Sequence, residues 1–170
     1  MKPSVGEKEW FIRGFRDVGT SEGSETPVIL RLPTIFLDFD GVLHSESEVS
    51  SRPFNRLPLL EEALSKADID FQIIISSSWR FHYTLDELRA NLGSLKNHVV
   101  GVTPEIRPCS DMRYHEIMEL IQTYGLEKWI AIDDAKWDFP PDCDNLLICN
   151  PRTGIDAEGV LKLRSWLARL

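Results

Sequence analysis

Ile35-Phe36-Leu37-Asp38-Phe39-Asp40-Gly41-Val42-Leu43-His44 is a short apolar run that stops abruptly in two carboxylates and a glycine. It reads as a β-strand whose end carries charge, an unfavourable arrangement unless a cation offsets it. Side chains alternate faces along a strand, so Asp38 and Asp40 would share one side if the strand continued. A turn at Gly41 instead lets the second carboxylate swing over the strand end, which separates the two acids and their roles.

Working outward, a polar loop from His44 to Pro53 leads to a helix over Leu57 to Lys66, where apolar residues recur at helical spacing. Phe71-Gln72-Ile73-Ile74-Ile75-Ser76-Ser77-Ser78 is rich in β-branched residues and nearly continuous, as expected of a strand covered on both faces in a parallel sheet. It too ends in small polar groups. Thr84 followed three residues later by Glu87 predicts a capping box, with Leu85, Leu88 and Leu92 on one helical face before Gly93. Val99-Val100-Gly101-Val102 is a third strand. Asp111 is the expected N-cap of a helix running to Tyr124, with Ile117, Leu120 and Ile121 inward and Gly125 as its stop.

Trp129-Ile130-Ala131-Ile132-Asp133-Asp134 repeats the opening theme of an apolar strand ending in acids. Leu146-Leu147-Ile148-Cys149 is a fifth strand. A last helix is expected from Asp156, offering Val160, Leu161, Leu163, Trp166 and Leu167 to the core. Strands alternating with helices imply parallel pairing through right-handed crossovers, hence a three-layer α/β/α Rossmann-like fold of about five strands.

The chain of 170 residues fits one domain with a real core. A domain over residues 33–170 follows an extension, residues 1–32, whose latter half is rich in Gly, Ser and Glu and reads as flexible, while Trp10, Phe11, Ile12 and Phe15 are expected to pack as a small strand or turn. No apolar run approaches the length of a membrane span, and Lys2, Glu7, Lys8 and Glu9 interrupt any leader-like segment; the expectation is a cytoplasmic protein with no membrane partner. Cys109, Cys143 and Cys149 are odd in number and lack metal-type spacing, so they read as free thiols. A formal charge of -8 disfavours a broad nonspecific phosphate-binding surface but leaves room for a local basic pocket.

In open parallel sheets ligands bind beyond the carboxyl ends of the strands. Three strand ends here are polar: Asp38 and Asp40 on the first, Ser76 to Ser78 on the second, Asp133 and Asp134 on the fourth. An Asp-x-Asp-Gly alone could be a fragment of a calcium loop. The preceding apolar strand, and the lack of a further acid at calcium-loop spacing, argue against that. Taken together and in this order, the three strand ends make a site.

On the motifs LDFDGVLH, IIISSSWR and WIAIDDAKWDF, with a basic residue between the last two, the chain from Thr34 to Leu170 resembles the haloacid dehalogenase (HAD) superfamily of phosphotransferases. Within it, the Ser-Ser-Trp-Arg second motif and Asp-Asp fourth motif are most similar to the HAD domains associated with Swiss Army Knife RNA repair proteins. The resemblance implies that Asp38 is the nucleophile, forming an aspartyl-phosphate. This agrees with the chemistry of a carboxylate held ionised beside a divalent metal, which splits hydrolysis into two easier displacements. Asp40 would protonate the leaving oxygen and then activate water, while its backbone carbonyl binds the metal. Oxygen ligands and a phosphate substrate fit Mg2+, held by Asp38, Asp40 and Asp134, with Asp133 shaping the surrounding shell.

A serine of the second motif is expected to bind a phosphoryl oxygen. Ser77, two residues before Trp79, is favoured over Ser76. Arg113 is the favoured cation, with Arg107 and Lys136 as alternatives. Gly41 completes the phosphate-binding set, and Arg80 is expected to take a second phosphate or a polynucleotide backbone. Each group has a plainer alternative. A single acid reads as a helix cap or solvated loop residue, and Arg80 and Arg113 fit structural pairing with a carboxylate equally well. Trp79, Trp129 and Trp137 read as packing rather than base-stacking residues. His44, His82, His98 and His115 have no metal-ligand spacing and receive no role, although His44 lies close enough to the first motif to touch substrate.

The intervals between motifs leave no room for a sizeable cap domain, so the site should be open and suit a large substrate, a nucleic-acid end or a phosphoprotein. The loop from His44 to Phe54, with Arg52 and Arg56, is the expected lid or recognition loop. The leading expectation is a magnesium-dependent phosphomonoesterase acting on a nucleotide or nucleic-acid terminal phosphate, with no obligate protein partner evident. The competing classes are a phosphoprotein phosphatase, a phospho-accepting signalling domain, against which Asp40 argues, and a catalytically silent binding module.

Overall fold

The computed structural model describes residues 31–46, 53–107 and 109–170. The expected packing of Trp10, Phe11, Ile12 and Phe15, and the placement of Arg52 in the loop after His44, lie outside the described residues.

Among the described residues five short strands form one parallel sheet: β1 (Thr34–Leu37), β2 (Gln72–Ile75), β3 (Val99–Val102), β4 (Trp129–Asp133) and β5 (Leu146–Ile148), in the order β3-β2-β1-β4-β5. The helices are α1 (Leu57–Ser65), α2 (Leu85–Ala90), α3 (Met112–Tyr124) and α4 (Ala157–Leu167). Strand alternation divides the core in two. Ile35, Leu37, Ile73, Ile75 and Ile132 face one side, against Leu60 of α1, Leu88 of α2 and Leu163 of α4. Phe36, Ile74 and Ala131 face the other, against Ile117 and Leu120 of α3. The three layers are therefore α1, α2 and α4, then the sheet, then α3.

Among the described residues the connections from β1 to β2 and from β2 to β3 carry one α-helix each, and no cap domain is seen at either place. No helix among the described residues is long and apolar enough to cross a membrane. All three cysteines are free.

Local signals in the sequence decide several helix ends. Thr84 and Glu87 form the reciprocal capping box, Asp156 accepts from the Gly159 N–H, and Gly125 closes α3 in the left-handed region. Three details differ from the sequence reading. Helix α2 stops at Ala90, and buried Leu92 lies past its end before a 3-10 segment over Gly93–His98. Asp111 is itself left-handed, at φ 52°, and its side chain caps nothing. Leu161 is exposed, because the inward stripe of α4 is Val160, Leu163 and Leu167.

Candidate active site

The sheet register brings the polar strand ends together. Leu37 pairs with Ile75 on one side and Ile132 on the other. One residue further on, Ser76 N–H donates to the Leu37 carbonyl at 2.9 Å and Asp38 N–H to the Ile132 carbonyl at 3.1 Å. Asp38, Ser76 and Asp133 thus stand side by side across the central strands. Asp38 continues the parity of Phe36, and Asp133 that of Ala131, so both turn toward α3.

There they meet Arg113, in the first turn of α3. Its Nη1 donates to Asp133 Oδ2 at 3.1 Å and lies 3.7 Å from Asp38 Oδ1. Burial disfavours the guanidinium charge, but Asp38, Asp133, Glu116 and Asp138 outweigh it and hold the pKa above the usual value. The two alternative cations, Arg107 and Lys136, are exposed, and neither pairs with these acids. Asp38 Oδ1 also accepts from the Phe39 N–H at 2.8 Å.

Carboxylate oxygens of Asp38, Asp133 and Asp134 lie within 4.8 Å of one another, and all three residues are buried. Burial, then the charge of Asp38, pushes Asp133 up to about 7 despite Arg113, and the same two causes push Asp134 up to about 6. Asp134 Oδ2 is buried and has no hydrogen-bond partner among the described residues. An orphaned oxygen in an all-oxygen cluster of mutually repelling acids fits a hard divalent cation such as Mg2+. Gly41, at φ 65°, is what lets Asp134 sit there: a Cβ on residue 41 would overlap the Asp134 carboxyl group.

Asp40 stands apart from this cluster. The chain after β1 makes a tight turn, with Leu43 N–H donating to the Phe39 carbonyl at 2.8 Å, and His44 returns over Asp40. His44 Nε2 lies 3.0 Å from Asp40 Oδ1, and Trp79 Nε1 donates to Asp40 Oδ2 at 2.9 Å. Asp40 remains about one-third exposed at 34%, unlike the buried Asp38 and Asp133. The turn is tied from behind by Ile155 N–H, which donates to the Val42 carbonyl at 2.8 Å, and by Arg56, whose Nε donates to the Thr153 carbonyl at 2.7 Å. Arg56, expected in the recognition loop, serves here as a brace between loops.

The two serines divide. Ser77 caps the 3-10 turn over Ser78–Phe81 by accepting from the Trp79 N–H, whereas Ser76 Oγ is buried with no hydrogen-bond partner among the described residues. The geometry therefore turns attention to Ser76, the alternative to Ser77, as the hydroxyl without a protein partner.

Arg80 takes the plainer of its two readings, structural pairing with a carboxylate. Instead of reaching outward to a second phosphate or a polynucleotide backbone, it folds under the strand end with its side chain 3% exposed. Its Nη1 donates to the Ser76 and Ser77 carbonyls, each at 2.9 Å, and its Nη2 to Glu116 Oε1 at 2.5 Å. The reason is the end of β2: those carbonyls lose their sheet partners and need buried donors. Trp137 departs from the sequence reading. Expected to pack, it is 72% exposed on the turn three residues beyond Asp134.

The sequence reading missed Glu116, which lies between Arg80 and Arg113, gave no role to His44 and only a packing role to Trp79. Only His44 had a local signal, its spacing of four residues from Asp40 across a glycine turn.

Comparison with known proteins adds one finding. The family model described as the HAD domain in Swiss Army Knife RNA repair proteins matches residues 34–160, which span the strand ends of β1, β2 and β4 and well over half of the chain. No curated protein and no solved structure matches. A five-stranded parallel sheet with no cap among the described residues, polar strand ends meeting at one edge and this family match agree: the chain belongs to the HAD domain family of Swiss Army Knife RNA repair proteins.

Proposed function

We propose that the protein is a magnesium-dependent phosphomonoester hydrolase working through an aspartyl-phosphate on Asp38. Membership of a HAD family points to phosphoryl-transfer hydrolysis in general. The observation that carries the specific reading is the separation of the two acids of the first motif. Asp38 lies within the aspartate cluster beside Arg113, and Asp40 is held two residues away at the open rim.

Asp38, Asp134 and the Asp40 carbonyl would hold Mg2+, with Asp133 pinned by Arg113 and by the Ala135 N–H at 2.8 Å. When bound, the ion offsets the charge of the phosphoryl group and the aspartates. An Asp38 carboxylate oxygen attacks phosphorus, and the bond from phosphorus to the ester oxygen breaks as Asp40 gives that oxygen a proton. In the second half, Asp40 takes a proton from water as the water attacks the aspartyl-phosphate, releasing inorganic phosphate and regenerating Asp38. Arg113 offsets charge on the transferring group, and Ser76 or Ser77 with the Gly41 backbone orients it.

An edge with no cap among the described residues suits a substrate too large to enclose, and exposed Trp137, three residues beyond Asp134 in the chain, offers a flat face, which supports a nucleic-acid end. The test is phosphate release from an aryl phosphate with and without Mg2+, using wild-type protein and Asp38→Asn. Magnesium-dependent release by the wild type alone is expected; equal release by both, or none by either, overturns the reading. A panel of 3′- and 5′-phosphorylated oligonucleotides, nucleotides and phosphopeptides then ranks substrates, with oligonucleotides expected first.

A further inference from the structure

Asp40 has both carboxylate oxygens engaged by ring nitrogens, from two residues that are distant in sequence. His44 is fully buried, with 0% of its side chain exposed, and its Nδ1 faces the Phe54 N–H at 3.4 Å. An imidazole nitrogen that accepts there carries no proton, which assigns the proton to Nε2, the atom 3.0 Å from Asp40 Oδ1. The indole N–H of Trp79, at 2.9 Å from Oδ2, is a donor only and cannot reverse. Both donors point at the carboxylate in fixed directions.

The rings are themselves held by packing. Trp79 meets Phe39, Phe54 and Tyr83 with centroids at 5.7, 5.5 and 5.3 Å, and His44 meets Phe54 at 5.4 Å. Phe39 is the residue between Asp38 and Asp40, and it is fully buried. Rotation of the Asp40 carboxyl would therefore break two hydrogen bonds on a wall that cannot follow it. Among the described residues neither His44 nor Trp79 pairs with the Asp38, Asp133 and Asp134 cluster or with Arg113, so His44 Nε2 and Trp79 Nε1 serve Asp40 instead.

We infer that His44 and Trp79 are positioning residues that clamp the Asp40 carboxyl in the orientation needed to protonate the leaving oxygen. This rests on the phosphatase reading above and deepens it. A general acid works only within hydrogen-bond reach of the atom it protonates, and misplacement by about 1 Å costs on the order of a hundredfold in rate. The clamp supplies orientation and exchanges no proton with substrate.

Leaving-group dependence separates this from a purely structural role. Departure of a nitrophenolate needs little protonation, whereas departure of an alkoxide, such as a ribose oxygen, depends on it. The measurement is kcat/KM, which reports transfer to Asp38 and is blind to later hydrolysis of the intermediate, for a nitrophenyl phosphate and an alkyl phosphate side by side. Trp79→Phe, which keeps a ring and removes the donor, and His44→Leu are each expected to lower kcat/KM for the alkyl ester about 10- to 100-fold. For the nitrophenyl ester the fall is expected to be about threefold or less. His44→Gln, which restores an N–H at similar reach, should recover much of the loss, and Asp40→Asn should show the same selectivity more strongly. An equal loss on both esters, or no loss on the alkyl ester in folded Trp79→Phe, overturns the clamp. A wild-type protein inactive on both esters overturns the phosphatase reading instead.

Discussion

Gly41→Ala tests whether the turn after β1 is built to admit Asp134. The substitution has two separable costs. The first is backbone: residue 41 sits at φ 65°, where an L side chain costs about 1–2 kcal/mol. The second is space, because the new Cβ would fall well inside 3.0 Å of Asp134 Oδ2 and Cγ, forcing that carboxyl group out of the cluster. Gly125→Ala is the matched control. Its φ of 64° carries the same backbone cost, yet the nearest atom to its Cβ is Arg31 Nη2 at 3.5 Å, an ordinary contact. Gly125→Ala should therefore lose about 1–2 kcal/mol, lowering Tm by about 2–8 °C in a chain of this size, and Gly41→Ala should lose at least that much. Only Gly41→Ala should also weaken Mg2+ binding, by about tenfold or more, since displacing a ligand costs at least as much as disturbing the groups around one. Titrating Mg2+ against the melting temperature of each variant reads both quantities, because binding to the native state raises Tm with ligand concentration. Wild-type Mg2+ affinity in Gly41→Ala, or an equal loss of affinity in Gly125→Ala, would refute the reasoning.

Three further expectations follow from the same geometry. In the metal-free protein Asp133 and Asp134 have pKa values raised to about 7 and about 6, so the fold favours their protonated forms; that stability is present below about pH 4 and lost as pH rises through about 6 to 7. Melting in chelator should show this decline, and added Mg2+ should raise Tm far more at about pH 8 than at about pH 5; a Mg2+ effect that does not grow with pH would contradict it. Glu116 is 1% exposed between Arg80 and Arg113, so Glu116→Leu should cost about 3–5 kcal/mol in urea unfolding, with Glu116→Gln in between; a Leu variant as stable as wild type would refute the bracket. If Trp137 stacks on a base, Trp137→Ala should raise KM for a phosphorylated oligonucleotide by about 5- to 150-fold, the equivalent of about 1–3 kcal/mol, and leave an aryl phosphate unaffected.

Much of this architecture was legible before any coordinates because its signals are local. The β-branched run over Ile73, Ile74 and Ile75 marked a strand covered on both faces, and the Thr84 and Glu87 pair marked a helix start. The acids after β1 and β4 pointed to one sheet edge because parallel strands all end there, and the register then sets Asp38 beside Asp133. What escaped was set by partners far away in the chain. Arg80 looked available to a phosphate until Glu116, 36 residues on, and the freed carbonyls of Ser76 and Ser77 claimed it. Trp79 packs against Phe39 and Phe54 as its sequence reading has it, but the partner of its N–H, Asp40, lies 39 residues away and gave no local signal. Asp111 looked like a cap because Asp favours that position, yet its own left-handed backbone leaves the side chain unused.

The proposed function has Asp38 carry the phosphoryl group during turnover. Its most direct test is rapid acid quenching of the protein mixed with Mg2+ and a phosphorylated substrate, followed by peptide mapping of the trapped adduct. An acid-stable, alkali-labile acyl phosphate is expected on the peptide containing Asp38, absent in Asp38→Asn. Turnover by the wild type with no adduct on Asp38, or undiminished turnover by Asp38→Asn, would contradict it.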